Sequence, residues 1–81
     1  MKNALLKRIV ADPKIMLGKP VIRGTRITVE IVLEKLAADC SIEEILADYP
    51  RLKRQDVLAA IAYAREVLGT DELIPATAAR G

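Results

Sequence analysis

The sequence predicts a mainly α fold, with a small N-terminal β-hairpin and a tri-helical helix-turn-helix core. Three observations carry that expectation. Aliphatic residues recur at helical spacing in three consecutive stretches between residues 28 and 68. Start and stop chemistry separates the stretches: Thr28, then Ser41 with Glu44 three residues on, then Pro50. Before residue 28 the pattern changes to short β-branched runs broken by Asp12-Pro13, Gly18-Lys19-Pro20 and Gly24. A chain of 81 residues makes one domain. It divides into a basic hairpin arm (1–27), a three-helix core (28–69) and a C-terminal tail (70–81).

Leu6 to Val10 reads as a strand that Asp12-Pro13 ends. Val21-Ile22-Arg23 is a second short strand, and Gly24 lets the backbone kink before Thr25-Arg26-Ile27 resumes an extended path. A two-stranded sheet is marginal alone in water, so this one must lean on the helices or pair with a second chain. Thr28 caps a first helix running to about Asp39, with Val29, Val32, Leu33, Leu36, Ala37 and Cys40 on one face. Ile31 and Ala38 point the other way, either to cover the sheet or to contact another subunit.

Ser41 and Glu44 form a capping box for a second helix, whose buried stripe is Ile42, Ile45, Leu46 and Tyr49. Pro50 stops it. A third helix starts near Lys53 and ends before Gly69, which suits a left-handed C′ position. Its stripe is Val57, Ile61, Ala64 and Leu68, flanked by Leu58 and Val67. Leu52, at N′, is placed to staple onto Val57 at N4. Gln55, Ala59, Ala62 and Glu66 form its outward side. From Thr70 the periodicity stops, and Leu73-Ile74-Pro75 is the only apolar patch of the tail.

Composition excludes several kinds of chemistry. There is no His, so zinc sites built on imidazole and Ser-His or Cys-His nucleophile pairs lack their first requirement. Gly18-Lys19 resembles the end of a phosphate-binding loop, but Pro stands at positions 13 and 20 where Gly and Ser or Thr are needed. Glu43 and Glu44 are neighbours on a helix and splay about 100° apart. No catalytic residue, metal ligand or cofactor is expected, and the chain reads as a non-enzyme. With no Phe or Trp and two Tyr, it lacks the rings on which single-stranded bases stack. The lone Cys40 makes no internal disulfide, and the first residues contain no signal-like or membrane-spanning run. A cytoplasmic, membrane-free location is the expectation.

Charge is lopsided although its net value is only +2. Residues 1–26 hold Lys2, Lys7, Arg8, Lys14, Lys19, Arg23 and Arg26 against Asp12 alone. Residues 27–50 hold Lys35 against Glu30, Glu34, Asp39, Glu43, Glu44 and Asp48. Such separation fits a basic surface for phosphates or an acidic partner, or two halves that attract each other in a dimer. Arg51, Lys53 and Arg54 crowd the start of the third helix, where cations oppose the helix dipole by about 0.3–1 kcal/mol each. Lys53 also takes a cap position that favours Ser, Thr, Asp or Asn. Facing DNA phosphates would explain that repeated choice. A solvated basic corner, partly offset by Asp56, would also fit.

Asp12-Pro13-Lys14-Ile15 followed by Gly18-Lys19-Pro20-Val21-Ile22-Arg23-Gly24-Thr25-Arg26-Ile27 resembles the signature of the domain of unknown function 433 family. Ser41 to Leu46, Tyr49-Pro50, Leu52 and Asp56 to Ala60 extend the resemblance over about residues 9–68. It implies a homeodomain-like helix-turn-helix and the antitoxin role of a type II toxin–antitoxin pair, with a PIN-like ribonuclease toxin as partner. By analogy the antitoxin would form a homodimer, bind double-stranded operator DNA, and block the toxin with a terminal segment. Two positions depart from the pattern. The family often pairs glycines where this chain has Leu17-Gly18, and usually offers Ser or Thr where it has Lys53.

Two functions follow. In the first, Arg23, Arg26, Arg51, Lys53 and Arg54 contact phosphates and Gln55 reads a base edge. The second is a protein-interaction helix-turn-helix module without DNA binding. There Ala59, Ala62, Ile31 and the tail residues Leu73 and Ile74 would make the contacts, and Arg80 would reach an acidic nuclease pocket.

Overall fold

Thr28 and Ser41 divide the helical part of the chain as their side chains dictate. The computed structural model describes residues 4–69. It contains β1 (Ile9–Val10), β2 (Val21–Ile22), α1 (Val29–Ala37), α2 (Ile42–Asp48) and α3 (Arg54–Gly69). The architecture is thus three helices with a two-stranded antiparallel N-terminal hairpin, in a helix-turn-helix order. The Thr28 hydroxyl accepts the Ile31 N–H at 3.1 Å. Ser41 accepts the Glu44 N–H at 3.1 Å while Glu44 accepts the Ser41 N–H at 2.7 Å, so both halves of the capping box form.

Ile9 pairs with Ile22 and Val10 with Val21. Beyond β2 the chain doubles back: the Ile22 N–H bonds the Ile27 carbonyl, and Thr28 bridges to Val21. The turn between them is held by Thr25, whose hydroxyl donates to the Ile22 carbonyl and accepts the Ile27 N–H. Gly24 occupies φ +80, a left-handed conformation that side chains resist, as its place in the turn requires. The Val29 N–H donates to the Pro20 carbonyl, which fastens the hairpin to the head of α1.

The core is wholly aliphatic. Ile22, Val29, Val32, Ile45, Leu52, Val57 and Ala60 form one buried cluster, and Ile42, Leu46, Tyr49 and Tyr63 pack on it half-buried. The α2 stripe and the stapled pair Leu52 and Val57 therefore lie where the sequence puts them. The link 49–53 is closed by the Leu52 N–H to the Tyr49 carbonyl, so α2 and α3 are separate helices.

Four expectations are corrected. Ala4 to Arg8 form a 3-10 turn rather than part of a strand, and they pack along α3. Leu5, Leu6 and Ile9 stand at i, i+1 and i+4, which is a helical spacing and not an alternating one. The first helix ends at Ala37, with Asp39 left-handed at φ 70, and Ala37 is exposed. Gly69 stays inside α3 and shows no left-handed φ.

The fourth correction is the largest. The buried side of α3 is Asp56, Val57, Ala59 and Ala60, whereas Leu58, Ile61, Val67 and Leu68 are exposed and Ala64 is half-buried. The helix is rolled relative to the expected stripe. Its alanines allow close approach of the N-terminal turn and α1, and Asp56 is drawn inward by its polar partners. The expected outward side fails with it: Ala59 is fully buried and Ala62 half-buried, although Gln55 and Glu66 are exposed.

Candidate nucleic-acid interface

Asp56 holds Lys53 and Arg8 at the start of α3. Its carboxylate accepts the Lys53 backbone N–H at 2.9 Å and the Arg8 guanidinium at 3.0 Å. Lys53 offers no side-chain oxygen to cap α3, so the acid at N3 takes the cap residue's own N–H instead, which is one half of a capping box. Asp56 is only 7% exposed, yet both its oxygens are bonded. No buried side-chain nitrogen or oxygen among the described residues lacks a partner. Apolar periodicity does not single out Asp56. Its position three residues after a side chain that cannot cap was the available signal.

Arg51 leaves the link 49–53 and donates to the Gly24 carbonyl at 3.0 Å. That bond joins the 22–27 turn to the entrance of α3, and Ile15, Gly24, Thr25, Arg26, Ile27 and Arg51 line one shallow depression there. Arg23 is exposed and anchored, its Nε donating to the Lys7 carbonyl at 2.8 Å and its N–H to the Arg8 carbonyl at 2.7 Å. These bonds leave its charge unneutralised. Arg26 and Lys53 are exposed, and neither side chain forms an ion pair among the described residues. Arg54 stands 3.9 Å from Glu43, an exposed pairing of small worth. Gln55 is exposed in the first turn of α3. Arg26 and Arg51 thus share a depression although 25 positions separate them in sequence, with Arg23 in the same turn and Lys53 beside Arg51.

Leu73, Ile74 and Arg80, read as partner contacts, lie outside the described residues. Ile31 is half-buried and lines a groove with Met16, Leu17, Lys19, Thr28, Glu30 and Glu34. Among the described residues no three of His, Cys, Asp and Glu lie close enough together to hold a metal ion. No helix among them is long and apolar enough to cross a membrane.

Fold and basic surface together define a small helix-turn-helix module. The family model described as "Protein of unknown function (DUF433)" matches residues 9–64, and the chain belongs to that family. It is 38% identical over 56 residues to "Uncharacterized protein y4eO" of Sinorhizobium fredii (strain NBRC 101917 / NGR234), a match covering 69% of this chain and 25% of that protein. It is also 60% identical over 25 residues to an "Uncharacterized protein" of Archaeoglobus fulgidus, which covers 31% of this chain and 69% of the relative. The chain thus spans about a quarter of the length of the first of these relatives. No solved structure matches.

Proposed function

We propose that the chain is a non-catalytic, cytoplasmic, antitoxin-like protein that binds double-stranded operator DNA and neutralises a PIN-like ribonuclease toxin. The observation that carries the DNA-binding part is the Arg51–Gly24 bond, which sets the cations of the 22–27 turn beside those at the head of α3. Arg23, Arg26, Arg51 and Lys53 then hold phosphates from two chain segments at once, and such contacts fix the orientation of a protein on a duplex. Arg54 contributes less because Glu43 attends it. Gln55, next along α3, is the side chain best suited to an adenine edge. The toxin half of the reading rests on the family resemblance, with Leu73, Ile74 and Arg80 as the contacts.

A mobility shift with the duplex upstream of the chain's own reading frame tests the DNA half. Retardation that weakens steeply with salt is expected, because each neutralised phosphate releases counterions. No retardation at micromolar protein would remove it. For the toxin half, the protein of the adjacent reading frame is expected to co-purify with the full chain and to escape inhibition by a chain lacking residues 70–81. Unchanged inhibition by that truncated chain would contradict the tail assignment.

A second reading, a protein-interaction module without DNA binding, is favoured by one observation. The outward side of α3 carries Leu58, Ile61 and Leu68, which gain little from a groove lined by polar base edges.

A further inference from the structure

We infer that the outward face of α1 is a docking groove for an apolar segment of a partner protein that carries a single cation between aliphatic side chains. Two shallow grooves meet on that face and share Ile31 and Glu34. One runs from there to Met16 and Leu17, the other to Ala38 and Tyr49. Ile31, Glu34 and Ala38 stand three and four positions apart, so they follow one side of the helix. The other side of α1, with Val29 and Val32, packs in the core. The 16–18 turn supplies an apolar wall: Met16 and Leu17 are 38% and 95% exposed although they hold left-handed φ values of 49 and 59. Strain of that kind clusters where a surface contacts a ligand, and burial within the chain does not offset it at Leu17.

Charge selects the occupant. Lys19 meets Glu30 at 3.1 Å and Lys35 meets Asp48 at 3.5 Å, so both lysines that line the grooves already have acidic partners. Glu34, exposed at the junction, forms no ion pair among the described residues. One carboxylate with apolar walls on both sides fits one lysine or arginine with an aliphatic residue to either side of it. Residues 27–50 carry six acids against Lys35, a field that attracts a cationic segment and repels the phosphates of a duplex. The chain's own end is a poor occupant by the same rule, because Asp71 and Glu72 directly precede its apolar Leu73-Ile74. The groove does not draw on the Arg51–Gly24 cluster, and its test contains no nucleic acid.

The experiment is fluorescence anisotropy of a labelled peptide of leucine and alanine with one central arginine, titrated with the full chain. A peptide with glutamate in place of that arginine is the control. Saturable binding of the arginine peptide is expected, with about tenfold weaker binding of the glutamate peptide. Glu34→Lys should reverse that preference. Leu17→Gly should raise the Kd of the arginine peptide about fivefold while Tm rises, which loss of folding would not do. Both positions are exposed, so the chain keeps its fold with either change. No saturable binding by the wild-type chain, as when its own end fills the groove, would overturn the proposal. So would binding that weakens at higher chain concentration, which would assign the groove to a second copy, or a preference unmoved by Glu34→Lys.

Discussion

Asp56 does two things with one carboxylate, and their relative weight can be separated by substitution. Removing it leaves the Lys53 N–H without its acceptor and Arg8 without its partner. A hydrogen bond to a charged, nearly buried group is worth about 1.5–3 kcal/mol, whereas a half-exposed ion pair is worth about 1 kcal/mol or less. Asp56→Ala is therefore expected to cost about 2 kcal/mol in urea denaturation, and Arg8→Ala clearly less. Equal losses would mean that the ion pair, not the helix cap, is the main contribution. A second residue carries strain. Met16, Leu17 and Gly18 stand in succession at φ 49, 59 and 86, and Leu17 is 95% exposed. Left-handed backbone costs an ordinary residue about 1–2 kcal/mol, and Leu17 recovers little of that through burial. Leu17→Gly should raise stability by about 1 kcal/mol, read as a higher Tm. A pair of glycines, which the family resemblance implies at this turn, would carry these angles without that cost. The departure was legible in the sequence, but its conformational reason was not, because a leucine gives no sign of a positive φ.

At the scale of the elements, legibility followed how local the determining interactions are. Thr28, Ser41 with Glu44, and Pro50 act within one turn of themselves, and all three boundaries formed where they stand. Ser41→Ala should cost about 1 kcal/mol, and Ile45→Ala at the fully buried centre about 2–5 kcal/mol, both measurable by thermal or urea unfolding. The roll of α3 was not legible. That helix has apolar residues around most of its circumference, so spacing alone does not single out one stripe. What decides its orientation is long-range: the Arg8 contact and the packing of the N-terminal turn against its alanines. The same reason hid the 3-10 turn at Ala4–Arg8, which packs on a helix some fifty positions away. Lys53 ties this scale to function. Lys53→Ser supplies the missing cap oxygen and is expected to stabilise α3 by about 0.5–1 kcal/mol while weakening DNA binding. A stabilised variant with undiminished binding would place Lys53 outside the phosphate contacts.

For the whole molecule, the decisive feature is the gathering of cations from distant segments. Residues 1–26 were legible as basic from composition, but the proximity of the 22–27 turn to the head of α3 was not, since it depends on the Arg51–Gly24 bond and on the doubled-back chain that presents Gly24. Acidic residues concentrate on α1 and α2, where Lys19–Glu30 and Lys35–Asp48 join oppositely charged side chains from different segments. Arg26 and Lys53, which form no ion pair among the described residues, are exposed. The most direct test of the central claim is equilibrium binding of the full chain to its own upstream duplex, followed by fluorescence anisotropy across a salt series. With about four phosphates neutralised per chain, the logarithm of affinity should fall against the logarithm of salt with a slope of about −3 to −4 per chain, and Arg26→Ala with Lys53→Ala should make the slope shallower by about 2. Binding absent at low salt, or a slope unmoved by that double substitution, would contradict it.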